Sequence, residues 1–325
     1  MNKSVAIIVP SLKPTSPVKG AIALANFIIN HKDVYIISLE SNYISDELDL
    51  DKRINVFFPC AESNKYSLKN IFSFMSFIKK LYNHNNLKYI ISYCLLPDLY
   101  NTLIRLDIVR IASIRANNIT SYKFQYGYKG ILLALIHYFA LNFLDKIIVM
   151  HKNMYQQLSN FVINKQKLII IPNFISPFKG NIKENYLSKD PFNIIFIGWL
   201  DSRKDPLYLL STISKLIKKD LRINFYYYGD GILKSQIKNQ IKKLNLENRV
   251  FIKGYVKDLK DILLKSHLLV LPSWAEGVPR AALEALDLGL PCLLRDIDGN
   301  SDLIKNKKNG GVFKTKRDLE SLIRF

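Results

Sequence analysis

The sequence predicts an α/β protein built from two successive domains. Its 325 residues are about twice the usual length of a single domain. Short runs rich in Ile, Val, Phe and Tyr alternate with longer amphipathic stretches, which is the pattern of parallel strands covered by helices. A composition of 49% hydrophobic and 23% charged residues is that of a globular chain and excludes a disordered or low-complexity one.

The first half of the chain contains apolar runs of the length of buried strands. Strands are predicted over residues 5–9, 34–38, 89–93, 108–114, 146–149 and 168–171. Helices are predicted between them, at residues 21–30, 68–82 and 129–144. These elements form one open α/β domain, which we place at residues 1–175.

A second series begins after a connection marked by turn-forming residues. The connection contains Pro172, Asn173, Pro177 and Gly180 and continues as a polar stretch to Asp190. The second domain, residues 176–325, is predicted to have strands at 192–197, 222–228, 249–252, 268–271 and 291–294. Its predicted helices lie at residues 207–218, 231–244, 258–264 and 279–288. Two such domains in tandem are expected to hold a ligand in the cleft between them, at the carboxyl ends of the strands.

The charge of the chain favours an anionic partner. Lys and Arg number 47 against 27 Asp and Glu, a net charge of +20 that is shared evenly between the two halves. Such an excess fits a membrane surface, nucleic acid or phosphorylated substrates. A general bias of the composition towards Lys, Asn and Ile would produce the same excess. With no recognition motif and no basic stripe, we expect no nucleic-acid partner.

The cysteines and the apolar segments predict a cytoplasmic location. Cys60, Cys94 and Cys292 lie far apart, with neither disulfide nor zinc-ligand spacing. The apolar run at residues 5–9 is too short for a signal peptide. The run at 131–144 is shorter than the roughly 18–20 residues of a membrane span. We therefore expect a soluble or peripheral protein, the latter at the inner face of the plasma membrane.

The segment LLVLPSWAEGVPRAALEALDLGLPCLLRD, residues 268–296, carries the clearest chemistry. It is predicted to form a buried strand, a tight loop and a helix that opens at Pro279. Glu276 and Gly277 lie at the start of that helix, where the helix dipole favours an anion. Glu284 lies within the helix. Either the two glutamates hold two ends of one ligand, or Glu276 is a loop acid and Glu284 a solvated helix acid.

Several ordered motifs of the second domain resemble glycosyltransferase family 4. EGVPRAALE resembles that family's paired-glutamate pattern. LPSWA, which precedes it, resembles the strand end and Pro-Ser segment that come before this pattern in the family. IIIPNFI is similar to its segment entering the second domain, and IIFIGWLDSRKDPLYLL to its phosphate-binding loop and helix. YYYGDGILKSQI, FIKGYVKDLKDIL and DGNSDLIKNKKNGGVF resemble the motifs around these. The first domain matches the family only in general layout.

The resemblance implies a GT-B fold of two facing Rossmann-like domains, with a nucleotide sugar in the second and an acceptor in the first. It implies a retaining hexosyltransferase that needs no divalent metal and no other cofactor, because basic side chains and a helix N-terminus can stabilise the leaving diphosphate. By the family's pattern, Lys204 and Arg203 contact the phosphates and Glu276 the donor sugar. Gly198, Gly277, Val278 and Pro279 line the donor pocket, and Glu284 holds ribose hydroxyls. For the two basic residues alone, a solvated turn is the competing interpretation.

The first domain offers four candidate residues on the acceptor side. Gly20 is the one glycine of PSLKPTSPVKGA, where the family usually has a pair. Arg115 and Asn117 follow a predicted strand, and His151 follows another, so that all three are expected near the ligand. The competing interpretation is an ordinary polar loop. His137, on an apolar helix, is interpreted as a core residue.

The leading hypothesis is a glycosyltransferase that uses a UDP- or GDP-linked sugar and a glycan or polyprenyl-linked acceptor, in surface polysaccharide biosynthesis. An anionic membrane surface is a further expected partner, since residues 72–81 and 131–143 are apolar and the chain is basic. The alternative is a truncated, inactive nucleotide-binding paralogue. It is suggested because the sequence stops at SLIRF, where the family usually continues into a terminal helix.

Overall fold

The computed structural model describes residues 3–40, 43–60, 67–175, 178, 191–219, 222–297, 299–305 and 308–324. It divides into unit 1, Met1–Asn173, and unit 2, Phe174–Phe325, which places the division two residues before the predicted one. The predicted connection at Pro177 and Gly180, with the polar stretch to Asp190, lies outside the described residues.

Unit 1 is a parallel sheet of seven strands. The strands are β1 Ser4–Val9, β2 Val34–Ser38, β3 Asn55–Phe57, β4 Leu87–Tyr93, β5 Val109–Ser113, β6 Lys146–Val149 and β7 Leu168–Ile170. The helices are α1 Ser16–Ile28, α2 Leu68–Asn85, α3 Leu95–Thr102, α4 Asn118–Tyr126, α5 Tyr128–Leu141 and α6 Lys152–Leu158. The strand order β3-β2-β1-β4-β5-β6-β7 is that of a doubly wound Rossmann-like sheet.

Unit 2 repeats this design with six strands. These are β8 Phe192–Ile197, β9 Ile223–Tyr228, β10 Val250–Gly254, β11 Leu268–Leu271, β12 Cys292–Arg295 and β13 Gly310–Phe313. The helices are α7 Pro206–Lys218, α8 Lys234–Lys243, α9 Lys260–Lys265, α10 Arg280–Asp287, α11 Asn300–Leu303 and α12 Lys316–Arg324. The order β10-β9-β8-β11-β12-β13 places the reversal of strand order between β8 and β11, the position where such sheets bind ligands.

Each sheet is covered by apolar side chains on both faces. In unit 1, α1 packs Val18 and Ile22 on one face, while α2 packs Phe74 and Ile78 on the other. The strands are buried nearly throughout, as their apolar runs predict. In unit 2, α12 packs against α7 and buries Leu319.

The predicted elements are present with bounds that shift by a few residues. The helix predicted from residue 21 begins at Ser16, because Pro17 is accommodated in its first turn. The helix predicted from Pro279 begins at Arg280, and Pro279 is its extended N-cap. The prediction does not include strands β3 and β13 or helices α3, α4, α6, α11 and α12. Strand β3 has three residues, and β13 begins with two glycines, which weaken a strand pattern.

Glycines are required where backbone segments of unit 2 approach each other. Gly229 has φ +145°, and a methyl group there would lie 1.9 Å from the carbonyl oxygen of Gly198. Gly231 has φ +153°, and a methyl group there would lie 2.5 Å from the carbonyl oxygen of Leu200. The loop after β8 therefore packs directly against the backbone of the Gly-Asp-Gly motif, residues 229–231.

We expect Gly229→Ala to lower the free energy of unfolding by more than about 2 kcal/mol, because a backbone atom would have to move. The matched control is Gly254→Ala, where φ is +74° but no atom lies within 4 Å. The free energy of unfolding of that variant should fall by only about 1 kcal/mol, because alanine is disfavoured at a positive φ. Denaturant unfolding compares the two; equal losses would mean that the contact with Gly198 is unimportant.

Candidate functional site

The loop between β8 and α7, residues 198–205, forms one side of the candidate site. It begins with Gly198, whose N–H donates to Tyr228 O at 3.0 Å. The N–H of Lys204 donates to Asp201 Oδ1 at 2.8 Å, which closes the loop on itself. The aliphatic part of Lys204 lies against Gly198, where a methyl group would sit 3.6 Å from Lys204 Cε. The lysine is thus held beside the carboxyl end of β8.

The loop between β11 and α10 forms the other side of the site. Its backbone is tied to the first loop by two hydrogen bonds: Trp274 N–H donates to Arg203 O at 2.8 Å, and Arg203 Nη1 donates to Ala275 O at 2.9 Å. Because β8 and β11 are neighbouring strands of the sheet, residues far apart in sequence meet here. Glu276 follows directly, four positions before α10 begins.

Glu276, Lys204 and Arg203 form a cluster of charged side chains, here called the ion cluster. Lys204 Nζ donates to Glu276 Oε1, and Arg203 Nη1 lies 3.9 Å from Glu276 Oε2. Glu276 is 7% exposed. Two cations face one carboxylate, so the cluster carries a net charge of +1. This excess positive charge, close to the N-terminus of α10, suits the binding of an anion.

The carboxyl group of Glu276 is ionised in this environment. Its burial acts to raise the pKa, but the charges of Lys204 and Arg203 and the hydrogen bond from Lys204 outweigh burial and lower the pKa below its ordinary 4.5. At neutral pH, Glu276 therefore accepts hydrogen bonds and does not supply a proton.

The other predicted donor-side residues lie along the same loop and helix. Gly277 and Pro279 are buried and Val278 is half-buried between Glu276 and α10. Glu284 lies on α10, where its Oε1 accepts a hydrogen bond from Arg280 Nε at 2.9 Å. Its side chain is partly exposed. The structure thus groups Gly198, Lys204, Arg203 and Glu276 at adjacent loops and places Glu284 on the helix that follows.

Arg295, at the end of β12, is a functional candidate that the sequence analysis missed. It is 3% exposed; its Nε donates to Pro272 O at 2.7 Å and its Nη2 to Asp205 Oδ2 at 2.8 Å. Its guanidinium group lies 3.7 Å from the ring centroid of Trp274. Asp205 follows Lys204, and Trp274 precedes Glu276, so Arg295 holds both loops. An arginine at the end of an otherwise buried apolar strand was the signal available in the sequence.

In unit 1, Gly20 and Arg115 lie next to each other. A methyl group at Gly20 would lie 3.0 Å from Arg115 Nη2. The same Nη2 donates to Asn173 Oδ1 at 2.6 Å, and the guanidinium lies 5.7 Å from the ring centroid of Tyr93. Gly20 on α1 thus allows the arginine to lie close to the helix. Both remain predictions as acceptor-side residues.

Asn117 and His151 serve as helix N-caps. Asn117 Oδ1 accepts from the N–H of Thr120 at the start of α4, and its Nδ2 donates to Gln157 at 2.8 Å. His151 Nδ1 accepts from the N–H of Met154 at the start of α6, at 3.3 Å. These contacts give both residues a structural role, and their acceptor-side role stays a prediction.

His137 is a buried residue of α5, as its apolar surroundings indicate. Its Nε2 lies 2.7 Å from Asp98 Oδ2, and Asn118 and Tyr122 each contact its Nδ1 at 3.0 Å. Burial raises the pKa of Asp98, and the contact with His137 opposes that rise. The group links α3, α4 and α5 to one another.

Among the residues that the structure describes, no helix is both long and apolar enough to cross a bilayer.

These features define a doubly wound two-unit protein with a cationic site at the switch point of its second sheet. Residues 178–324 match the family Glycosyl transferases group 1. The predicted resemblance of the second domain to a glycosyltransferase family is therefore confirmed over these residues.

A curated relative shares part of the sequence. UDP-Gal:alpha-D-GlcNAc-diphosphoundecaprenol alpha-1,3-galactosyltransferase of Escherichia coli is 34% identical over 173 residues, which are 50% of this chain. The aligned part spans 44% of that relative's length.

Solved structures share the fold over the whole chain. A mutant of TarM from S. aureus, in complex with Fondaparinux, alpha-GlcNAc-glycerol and UDP, has a TM-score of 0.80 at 15% identity, covering 99% of this chain and 92% of that one. Anabaena Alr3699/HepE, in complex with UDP and glucose, has a TM-score of 0.77 at 15% identity, covering 100% and 89%. The predicted α/β fold of the GT-B type is confirmed.

Replacing Glu276 by Gln tests the ion cluster through its pH dependence. Because the folded pKa lies below 4.5, the carboxylate contributes stability above about pH 4.5 and loses it as the pH falls through the folded pKa. Glu276→Gln should therefore lower the free energy of unfolding by about 2 kcal/mol at neutral pH, and the difference from the wild type should narrow in acid.

The control for this measurement is Glu320→Gln, which removes a pair at 3.3 Å with Lys215, whose side chain is 59% exposed. We expect that variant to change stability by less than about 0.5 kcal/mol at any pH. Urea unfolding over a pH series gives both values. If the stability difference between Glu276→Gln and the wild type stays constant with pH, Glu276 is not an ionised carboxylate in the folded protein.

Proposed function

We propose that this protein is a glycosyltransferase that moves a hexose from a nucleotide-diphosphate sugar to a glycan or polyprenyl-linked acceptor in surface polysaccharide biosynthesis. The observation that carries the proposal is the ion cluster, in which a buried carboxylate and two cations meet at the switch point of the sheet. The family match of unit 2 supports the reaction class. We place the reaction in the cytoplasm, with the protein peripheral at the inner face of the plasma membrane.

In this proposal, Lys204 and Arg203 bind the diphosphate and stabilise the charge that develops on it as the sugar leaves. Glu276, being ionised, accepts hydrogen bonds from hydroxyls of the donor sugar. Gly198, Gly277, Val278 and Pro279 line the pocket for the sugar and phosphates, and Glu284 accepts from the ribose. Arg295 positions the two loops and does not itself contact the donor.

The donor is UDP-linked rather than GDP-linked in this proposal. The relative from Escherichia coli is named for UDP-Gal, and the similar Anabaena structure holds UDP and glucose. We further propose retention of the anomeric configuration and catalysis without a divalent metal. The side-chain cations and the N-terminus of α10 supply positive charge at the leaving group.

Isothermal calorimetry of UDP, GDP and uridine, with EDTA and then with magnesium, tests the donor site. We expect UDP to bind in the presence of EDTA. Lys204→Met should weaken the affinity for UDP by at least about tenfold and leave the affinity for uridine nearly unchanged. Glu284→Ala should weaken the affinity for both UDP and uridine, because both ligands carry the ribose.

Two exposed residues of unit 2 give matched control variants, Lys215→Met and Glu247→Ala, which should bind like the wild type. Equal UDP binding by Lys204→Met and Lys215→Met would overturn the phosphate assignment. Binding of GDP in preference to UDP would overturn the choice of donor base.

Product analysis tests transfer and its stereochemistry. The protein is incubated in EDTA with UDP-galactose or UDP-N-acetylglucosamine and a synthetic polyprenyl-diphosphate glycan. We expect a product whose new linkage has the α configuration of the donor, read from the anomeric proton coupling by NMR. A β linkage would contradict retention, and UDP binding without turnover on any acceptor would favour the inactive nucleotide-binding alternative.

A further inference from the structure

Asp98 and His137 form a buried polar pair in unit 1 that the proposed reaction does not use. Asp98 on α3 is 0% exposed and His137 on α5 is 1% exposed. Burying such a pair costs more free energy than burying two apolar side chains of similar size. Its hydrogen bonds, however, fix a geometry that apolar contacts leave adjustable. The pair therefore calls for an explanation other than the stability of the core.

The contacts of His137 determine which of its ring nitrogens carries the proton. Its Nδ1 lies 3.0 Å from Asn118 Nδ2 and 3.0 Å from the hydroxyl oxygen of Tyr122. The amide nitrogen of Asn118 can only donate, so Nδ1 accepts and carries no proton. Burial raises the pKa of the Tyr122 phenol, which keeps its proton as a second donor. The proton of the neutral imidazole is then on Nε2, which donates to Asp98 Oδ2 at 2.7 Å.

Helix α4 depends on the contact between His137 and Asn118. Among the nine residues of α4, all of which the structure describes, Asn118 alone is buried, and residues 123–126 are exposed. Farther along, α4 lies directly on α5, where a methyl group at Gly130 would sit 2.0 Å from Tyr122 O. The first residue of α4 is thus held by a hydrogen bond to a buried side chain, because the helix has little apolar packing of its own.

The start of α4 in turn bounds the loop that carries Arg115. This loop, residues 114–117, joins β5 to α4. At its first end, the N–H of Ile114 donates to the neighbouring strand β6 at 2.9 Å. At its other end, Asn118 is bound by His137. Arg115 lies between these two anchors, so the placement of Asn118 limits how far the backbone of Arg115 can move.

Asp98 and Arg115 are also both attached to the residues that end β4. The guanidinium of Arg115 lies 5.7 Å from the ring centroid of Tyr93, the last residue of the strand. The N–H of Asp98 donates to the carbonyl oxygen of Cys94, the next residue, at 3.0 Å. The carboxyl ends of the strands are where doubly wound sheets bind ligands. The buried pair therefore supports the edge of the sheet at which Arg115 lies.

We propose that Asp98 and His137 are positioning residues: the pair holds Asn118 at the start of α4 and thereby fixes Arg115 for its contact with the acceptor, a role of Arg115 that rests on the proposed function. Both members of the pair are buried, so they act through Arg115 and do not touch the acceptor themselves. A neutral His137 suits this task, because a proton on Nδ1 would face an N–H of Asn118 and break the contact.

Amide hydrogen exchange, measured by mass spectrometry on the whole chain, tests the positioning of residues 114–121. Glutamine places an amide group near the position of Nε2, so His137→Gln keeps a donor for Asp98 but removes the acceptor for Asn118. We expect residues 114–121 to exchange at least about tenfold faster in this variant. Asn118→Ala removes the same hydrogen bond from its other side and should give a similar increase, which keeps the test available if His137→Gln does not fold.

The matched control is Ile78→Ala, which removes a fully buried side chain of α2, a helix that the pair does not join. This variant lowers the stability of unit 1 by leaving a cavity elsewhere. Exchange at residues 114–121 should therefore stay within about twofold of the wild type, because local opening there is unaffected. Equal acceleration in Ile78→Ala and His137→Gln, or none in His137→Gln, would overturn the positioning role.

Steady-state kinetics test whether the pair acts through Arg115. The substrates are the synthetic polyprenyl-diphosphate glycan and the UDP-sugar that the wild type transfers. We expect His137→Gln to raise the KM for the glycan at least about fivefold, and Arg115→Met to raise it as well. In the double variant, His137→Gln should add less than about twofold to the effect of Arg115→Met. Effects that multiply in full would mean that His137 does not act through Arg115.

Calorimetry of UDP separates this inference from the proposed function. His137→Gln should bind UDP with the affinity of the wild type, because the proposed donor site lies in unit 2. If the wild type neither binds UDP nor transfers sugar, the proposed function fails, and the acceptor role of Arg115 fails with it. If the wild type transfers sugar but His137→Gln leaves exchange at residues 114–121 unchanged, the positioning role alone fails.

Discussion

The ion cluster of unit 2 is the interaction on which the site depends. It joins two loops whose residues lie 72 positions apart in sequence, and its carboxylate is nearly buried. A buried ionised carboxylate is stable only beside cations, so Glu276 requires Lys204 and Arg203 in place. The backbone bonds between the loops and the contacts of Arg295 provide that placement. The site is therefore largely arranged by contacts within unit 2.

The cations that balance Glu276 are the ones that the proposed function assigns to the diphosphate. With a net charge of +1, the cluster has charge available for an anion while keeping Glu276 ionised. This accounts for a carboxylate sharing one small site with the two cations that are proposed to bind the diphosphate. The glycines at 229 and 231 contribute indirectly, because they let the loop after β8 rest close to the neighbouring backbone.

In unit 1, the polar acceptor-side candidates have contacts within the fold that explain their positions, whereas the exposed apolar side of α5 does not. Asn117 and His151 cap helices, and Arg115 packs against Gly20, so each has a partner within the fold. The exposed side of α5 has no such explanation inside unit 1. Its outer residues Tyr128, Leu132 and Phe139 are apolar and exposed, so the packing of the core does not account for them.

The sequence by itself determined most of the strands, the longer helices and the family motifs, because these are encoded by spacing within one segment. Alternating strands and helices, the two units and the positions of Lys204 and Glu276 follow from local patterns. Tertiary structure decided what depends on strand order: the pairing of Glu276 with Lys204, the role of Arg295, and the short strands β3 and β13 that only their neighbours define. It also decided which side of α5 is exposed, since a helix apolar all round gives no sequence signal for the side that faces the core.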